Sequence, residues 1–368
     1  MYLKSAKTIV IKIGSSLLIN NNKTIRKKWL EEFSKDVKEL KSKGKNVIIV
    51  SSGAIALGCK KLNLNKKNIK LDKSQAVASI GQIELMNLFN NTFSKEKINL
   101  SQILLTLEDT EVRARAINAK RTFENLFSLG YVPVVNENDS IATTEIKYGD
   151  NDRLASRVAQ ISSADCLVLL SDVDGLYSKN PKIFKNSSLI SEIKNISHDI
   201  EKIATESSGI HGTGGMKTKI EAAKICQNSG CKMAIANGLK KRPIHNINLY
   251  NKCTWFLPKI SKLDARKKWI ISSVSPKGNI VIDDGALAAL KQGKSLLAAG
   301  IKKVNGNFSK GDHIKIMDKN SKEFARGLSS FSSDEIKKIQ GKHSNKIQDL
   351  LGYISKSEVI HKDDMVVV

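Results

Sequence analysis

Thr8-Ile9-Val10-Ile11-Lys12-Ile13-Gly14-Ser15-Ser16 stands near the start of a chain of 368 residues. Its first six residues are β-branched except for Lys12, and apolar side chains fill both parities instead of alternate ones. A strand covered by helices on both faces has this composition. Gly14 then permits a tight turn. Small residues after a strand let backbone N–H groups approach an anion closely, and Lys12 would point its ammonium group into the same place. A lysine at a strand end is equally at home in water, so this stretch alone leaves both uses open.

The same texture recurs along the chain. Asn46–Val50 is a second strand, ending at Ser51-Ser52-Gly53, and Gln102–Leu105, Tyr131–Val135, Cys166–Leu170 and Lys232–Ala236 follow. Helical spacing fills the intervals. Thr24–Lys43 carries Ile25, Trp29, Phe33, Val37 and Leu40 on one face, and Ala76–Phe93, Ala116–Leu129, Asn151–Ile161 and Gly215–Asn228 are further helices. Alternating strands and helices predict an α/β fold, a three-layer αβα sandwich with a mostly parallel central sheet. Such sheets bind ligands at the carboxyl ends of their strands, and the polar and Gly-rich segments all follow strand ends. After Pro258 the texture changes to short strand-like pieces, Asn279–Ile282, Gly300–Val304 and His313–Met317, with helices at Ala286–Leu290 and Ser333–Ile339. The expected division is an α/β domain over 1–260, a linker over 261–277 and a small β-rich module over 278–368.

Lys and Arg number 61 against 36 Asp and Glu, a formal net charge of +25. Only +5 of this falls on residues 276–368, so the excess is spread along the chain. Dispersed lysines make solvated faces with a general attraction for small anions, and a dedicated polyanion patch is the weaker alternative. The five cysteines form no CxxC pair, which argues against a disulfide scaffold or zinc ribbon and for buried thiols in a reducing compartment. No run approaches the roughly 20 apolar residues of a membrane span. Lys12 interrupts the apolar N-terminal stretch and no small-residue cleavage site follows, so a cytoplasmic location is expected.

Five more segments have chemical potential. Ser51-Ser52-Gly53-Ala54-Ile55-Ala56 runs from a strand end into a helix, where its hydroxyls and amides could grip a carboxylate or phosphate, or simply cap the helix. Asn136-Glu137-Asn138-Asp139 and Gly149-Asp150-Asn151-Asp152 could bind an ammonium group, Mg²⁺ or neighbouring lysines. The second of these could also be only a turn and N-cap. Ser171-Asp172-Val173-Asp174-Gly175-Leu176-Tyr177 could host a nucleotide or be a bare turn. Gly212-Thr213-Gly214-Gly215-Met216-Lys217-Thr218-Lys219 is the strongest signal, because glycines before a helix leave free amides and a positive dipole facing outward. It ends in neither the Gly-Lys-[Ser/Thr] of a Walker A loop nor the GxGxxG of a dinucleotide fold. There is no Ser-His-Asp elbow, and none of the six His falls in a motif suited to base catalysis. Chemistry that needs no protein nucleophile fits best, and phosphoryl transfer is the prime example.

Taken in order, Lys12–Ser16, Ser51–Gly58, Asn136–Asp139, Gly149–Asp152, Ser171–Tyr177 and Gly212–Lys219 resemble the amino acid kinase family. More narrowly, they resemble its branch that phosphorylates the side-chain carboxylate of L-glutamate. The resemblance continues through Arg266–Ile270 into Gly306-Asn307-Phe308-Ser309-Lys310-Gly311-Asp312, which is similar to a C-terminal PUA domain. It implies that ATP and L-glutamate give ADP and glutamyl 5-phosphate, the first step of proline synthesis. It implies that Lys12 and Lys219 contact the ATP phosphates and the transferring phosphoryl group from opposite sides, and that Asp150 orients the two lysines. Ser52, Asp139 and Asn151 would bind glutamate. Ser171 and Asp172 would lie at the nucleotide, and Thr213, Gly214, Gly215, Met216, Lys217, Thr218 and Lys219 would form the loop over its phosphates. Mg²⁺ would travel mainly on ATP, with no metal ligand assigned to the protein. The family also implies feedback inhibition by proline and assembly into homodimers or homotetramers. Two positions depart from its pattern: Lys217 stands where a small polar residue is expected, and Ser171 where threonine is familiar. The alternatives are another amino acid kinase, acting on aspartate or acetylglutamate, and an RNA-binding protein acting through the PUA module. The modest +5 of that module and its lack of aromatic stacking clusters count against RNA.

Overall fold

The computed structural model describes residues 2–20, 24–64, 69–141, 151–181, 183–184, 186–206, 215–262, 264–265, 276–353 and 356–367. The chain divides into two compact units, Met1–Lys262 and Leu263–Val368.

The first unit begins with α1 (Tyr2–Ser5), β1 (Thr8–Ile13), α2 (Ser15–Leu18), α3 (Lys27–Ser42), β2 (Asn46–Val50), α4 (Ala54–Lys61) and α5 (Leu71–Phe93). It continues with β3 (Leu100–Leu105), α6 (Leu107–Glu111), α7 (Arg113–Ser128), β4 (Val132–Glu137), α8 (Asn151–Ile161) and β5 (Cys166–Ser171). β6 (Glu192–Ile193), α9 (His198–Glu206), α10 (Met216–Asn228), β7 (Lys232–Asn237), α11 (Pro243–Tyr250) and β8 (Cys253–Phe256) complete it. The strands form one sheet in the order β3-β4-β2-β1-β5-β7-β8-β6, parallel except where β8 pairs antiparallel to β7.

Successive side chains of a strand point to opposite faces, and here each face has its own core. Ile9, Ile11 and Ile13 of β1, with Val47 and Ile49 of β2, pack against Trp29, Phe33 and Val37 of α3 and Leu85 and Phe89 of α5. Val10 of β1, with Ile48 and Val50 of β2, faces Leu154 and Val158 of α8 and Ile220 and Ala223 of α10. This is the three-layer arrangement expected from strands apolar on both parities. Lys12 shares its parity with Val10, so β1 delivers its side chain to the layer of α8 and α10.

Most element ends lie within a few residues of the sequence expectation, and the larger differences have local causes. The helix expected from Thr24 begins at Lys27, because Ile25 forms a β-bridge with Ile19 instead. The helix expected from Ala76 begins five residues earlier, at Leu71. β6 and β8 were not foreseen; β8 hides a polar residue, Thr254, whose hydroxyl is satisfied internally by the Ile190 carbonyl at 2.6 Å and the Leu176 N–H at 2.8 Å.

The second unit has a five-stranded sheet, β11-β9-β12-β13-β15, and a two-stranded one, β10-β14. Their ranges are β9 Gly278–Ile282, β10 Leu296–Leu297, β11 Ile301–Gly306, β12 His313–Met317, β13 Glu323–Leu328, β14 Glu358–Ile360 and β15 Met365–Val367. The helix Ser333–Ile339 matches the expected bounds and starts on a capping box of Ser332 and Glu335. The linker segment 266–275 lies outside the described residues. Among the described residues, no helix is long and apolar enough to cross a membrane.

One helix contact sets the geometry beneath the site. A Cβ added to Gly81 of α5 would fall 1.8 Å from the Ala54 carbonyl oxygen of α4, and one on Gly58 would fall 2.1 Å from the Val77 oxygen. Both neighbours are backbone, which cannot swing aside. Gly81→Ala is therefore expected to lower stability by about 1–3 kcal/mol or more, read as an earlier thermal melt. A melt indistinguishable from the parent's would show that the two helices separate freely.

Candidate active site

The carboxyl ends of β1, β2, β4 and β5 and the N-termini of α4, α8 and α10 carry most of the residues that the sequence singles out. Lys12 is the penultimate residue of β1. Asp152 is the second residue of α8, where a carboxylate also suits the helix dipole. Lys219 lies in the first turn of α10 on the buried stripe of Ala222 and Cys226, while Lys217 faces outward. The apolar stripe thus carries a lysine inward.

These three side chains meet. Lys12 Nζ lies 2.5 Å from Asp152 Oδ1 and Lys219 Nζ lies 3.0 Å from Asp152 Oδ2. Asp152 is 1% exposed, Lys12 12% and Lys219 9% by side chain. Burial alone would push the Asp152 carboxyl up, but Lys12 and Lys219 more than reverse this and hold it down at about 2. The Thr218 hydroxyl lies 2.9 Å from the Gly215 carbonyl and 3.2 Å from Asp152 Oδ2, so its one proton serves either. Among the described residues, one carboxylate lies between the two ammonium groups. Gly215, the N-cap of α10, offers no side-chain bond to the first-turn amides, nor does Gly53, the N-cap of α4 at φ +117°.

A second cluster adjoins the first. Asn151 Nδ2 donates to the Ser51 carbonyl at 2.8 Å and approaches Asn136 Oδ1 at 3.4 Å; Asn136 Nδ2 donates to Gln82 Oε1 at 2.7 Å. The Ser52 hydroxyl donates to the Ile13 carbonyl at 3.0 Å, which ties the end of β2 to the end of β1. Ser171 and Asp172 bond each other at 3.1 Å at the end of β5, the strand beside β1, with Asp172 exposed. Asp139 is half-buried two residues past β4.

The residue that joins the two lysines is Asp152. Asp150, to which the resemblance gives that pairing, lies outside the described residues, as do Thr213 and Gly214. The sequence showed Asp152 as a member of the same acidic cluster but could not rank it above its neighbour. Asn136 belonged to a noted motif without a role of its own. Gln82 was missed altogether, and its one signal is a glutamine on the apolar stripe of Val77, Ala78, Gly81, Leu85 and Phe89. For a metal, the described residues contain no group of three His, Cys, Asp or Glu side chains, and each oxygen of Asp152 already holds an ammonium group. They do not fit a metal cage of their own.

The family description "Amino acid kinase family" matches residues 7–237, and "PUA domain" matches residues 278–351. The glutamate 5-kinase of Pelagibacter ubique is 76% identical over 368 residues, covering 100% of both chains. That of Paramagnetospirillum magneticum is 45% identical over 99% of this chain and 98% of its own. Among solved structures, the UMP kinase from Ureaplasma parvum aligns with a TM-score of 0.47 at 17% identity, over 68% of this chain and 98% of that one. By a family match over most of its length and by relatives this similar from end to end, the chain belongs to the amino acid kinase family.

Proposed function

We propose that this protein transfers the γ-phosphoryl group of ATP to the side-chain carboxylate of L-glutamate, giving ADP and L-glutamyl 5-phosphate, the first step of proline biosynthesis. The observation that carries this reading is Asp152, buried with Lys12 on one oxygen and Lys219 on the other. Near-complete relatives of that name support the choice of substrate.

The chemistry asks little of the protein beyond charge and position. The acceptor carboxylate is ionised at pH 7, so no general base is needed. Its oxygen forms the new O–P bond while the bond to the β-phosphate oxygen breaks and ADP keeps the electron pair. The obstacle is bringing two anions together: at about 4 Å, unit charges repel by about 4 kcal/mol at an effective dielectric near 20. Lys12 and Lys219, held from below by Asp152, supply the opposing charge where it develops. Thr213, Gly214, Gly215, Met216, Lys217 and Thr218 cover the phosphates, with the uncapped amides of α10 aimed at them. Ser171 and Asp172 meet the nucleotide. Ser52, Asp139 and Asn151 hold the amino acid; the Ser52 oxygen retains acceptor capacity for an ammonium group after donating to Ile13. Mg²⁺ would be bound with ATP, not by a cage of the described residues, and would add charge neutralisation to that of the two lysines. Proline as a feedback inhibitor, a dimeric or tetrameric assembly and a cytoplasmic location complete the proposal.

The test measures ADP release with L-glutamate, L-aspartate and N-acetyl-L-glutamate, trapping the acyl phosphate with hydroxylamine. Turnover with L-glutamate and formation of its γ-hydroxamate are expected. A higher kcat/KM for either other acid would assign a different acceptor.

A further inference from the structure

The buried polar chain beside the lysine cluster has a direction. The Ser51 carbonyl can only accept, so Asn151 must turn its Nδ2 towards it. The same nitrogen faces Asn136 Oδ1, which leaves Asn136 Nδ2 to donate to Gln82 Oε1. One backbone oxygen therefore fixes the orientation of three side-chain amides. Two atoms are left over, Gln82 Nε2 and Asn151 Oδ1, both buried and both without a partner among the described residues. Gln82 is 9% exposed and Asn151 4%. An unpaired buried donor is costly, and its persistence calls for something that pairs with it.

Position says what that is. Asp152 holds the lysines, Asn151 adjoins it in α8, Asn136 follows, and Gln82 is the link furthest from the phosphoryl-transfer end. The close approach of α4 and α5 at Gly81 keeps Gln82 beside the uncapped N-terminus of α4. An amino acid whose side-chain carboxylate reaches the lysines presents its α-carboxylate at the far end.

We propose that Gln82 is a substrate-binding residue whose Nε2 donates to the α-carboxylate of the amino acid acceptor. Asn151 Oδ1 is the complementary acceptor for the α-ammonium group. The assignment rests on the phosphoryl transfer to L-glutamate proposed above.

The test uses the full-length parent with Gln82→Met and Gln82→Glu, and two acceptors: L-glutamate and L-isoglutamine, whose α-carboxylate is an amide and whose γ-carboxylate is intact. Gln82→Met is expected to raise KM for L-glutamate roughly 10–100-fold, the scale of one hydrogen bond to a charged group, with KM for ATP within about twofold. Gln82→Glu keeps the oxygen that serves Asn136 but sets a carboxylate against a carboxylate, so its KM for L-glutamate rises further. The parent's preference for L-glutamate over L-isoglutamine shrinks in Gln82→Met by the same factor. The proposal is overturned if folded variants keep KM for L-glutamate within about twofold. It is also overturned if both acceptors weaken equally, or if neither variant folds, since Gln82 would then serve only the core. A parent inactive on L-glutamate would sink the proposed function instead, which the parent's own assay reveals separately.

Discussion

Asp152→Ala is expected to melt lower by on the order of 10 °C and to turn over about 10²–10³-fold more slowly. The substitution removes the carboxylate that pairs with both nearly buried ammonium groups. Breaking a buried pair by removing one partner costs about 3–5 kcal/mol, because the remaining charge stays desolvated. Turnover falls because the lysines splay from the line of transfer. Asp152→Asn keeps the shape but has one carbonyl oxygen where there were two, so it holds one lysine and falls between parent and alanine variant. Thermal melts and ADP-release kinetics check this together; a parent-like melt with parent-like turnover would show that the lysines stand without a carboxylate.

The same group sets an acid limit. Its folded value of about 2 lies below the ordinary aspartate value, so its contribution is fully present above about pH 4 and is lost as pH falls towards 2. That contribution amounts to about 2 kcal/mol and drops out of an acid-unfolding curve in Asp152→Asn. Between pH 5 and 8 Asp152 stays ionised, and any change of rate there comes from other groups.

Lys12→Ala and Lys219→Ala are each expected to lower kcat by roughly 10²–10³, the scale of losing one preorganised donor to the developing charge. The double variant loses less than the product of the two, since both side chains serve one phosphoryl group. Arginine is not expected to restore either site, because a planar fork cannot take the place of a compact point charge on a buried carboxylate. Single-turnover measurements at saturating ATP separate chemistry from binding. Near-normal turnover in both single variants would remove the lysines from the mechanism.

The layers and most strands were legible because strands covered on both faces carry apolar residues at both parities, as in Thr8–Ile13 and Cys166–Leu170. The strand Cys253–Phe256, between β7 and β6, was not, since its buried Thr254 finds its partners in Leu176 and Ile190, far away in sequence. Lys12 stood out at a strand end and Lys219 as one of the first-turn lysines of a helix, while their shared role came from the family resemblance. The resemblance gave the pairing of the lysines to Asp150, which lies outside the described residues; Asp152 stands two positions on in the same cluster of Asp and Asn, where composition alone does not rank one above the other. Gln82 was hidden for a related reason: its partner Asn136 is 54 residues away, and no local pattern announces a hydrogen bond across two layers.

The placement of Lys12 on the second face of β1 constrains how this lineage can vary in length. Losing or gaining one residue between Thr8 and Lys12 would turn the lysine towards Trp29 and Phe33, an oily chamber with no carboxylate to greet it. Deletions and insertions there are survivable only in pairs, so this short stretch behaves like a reading frame written in protein.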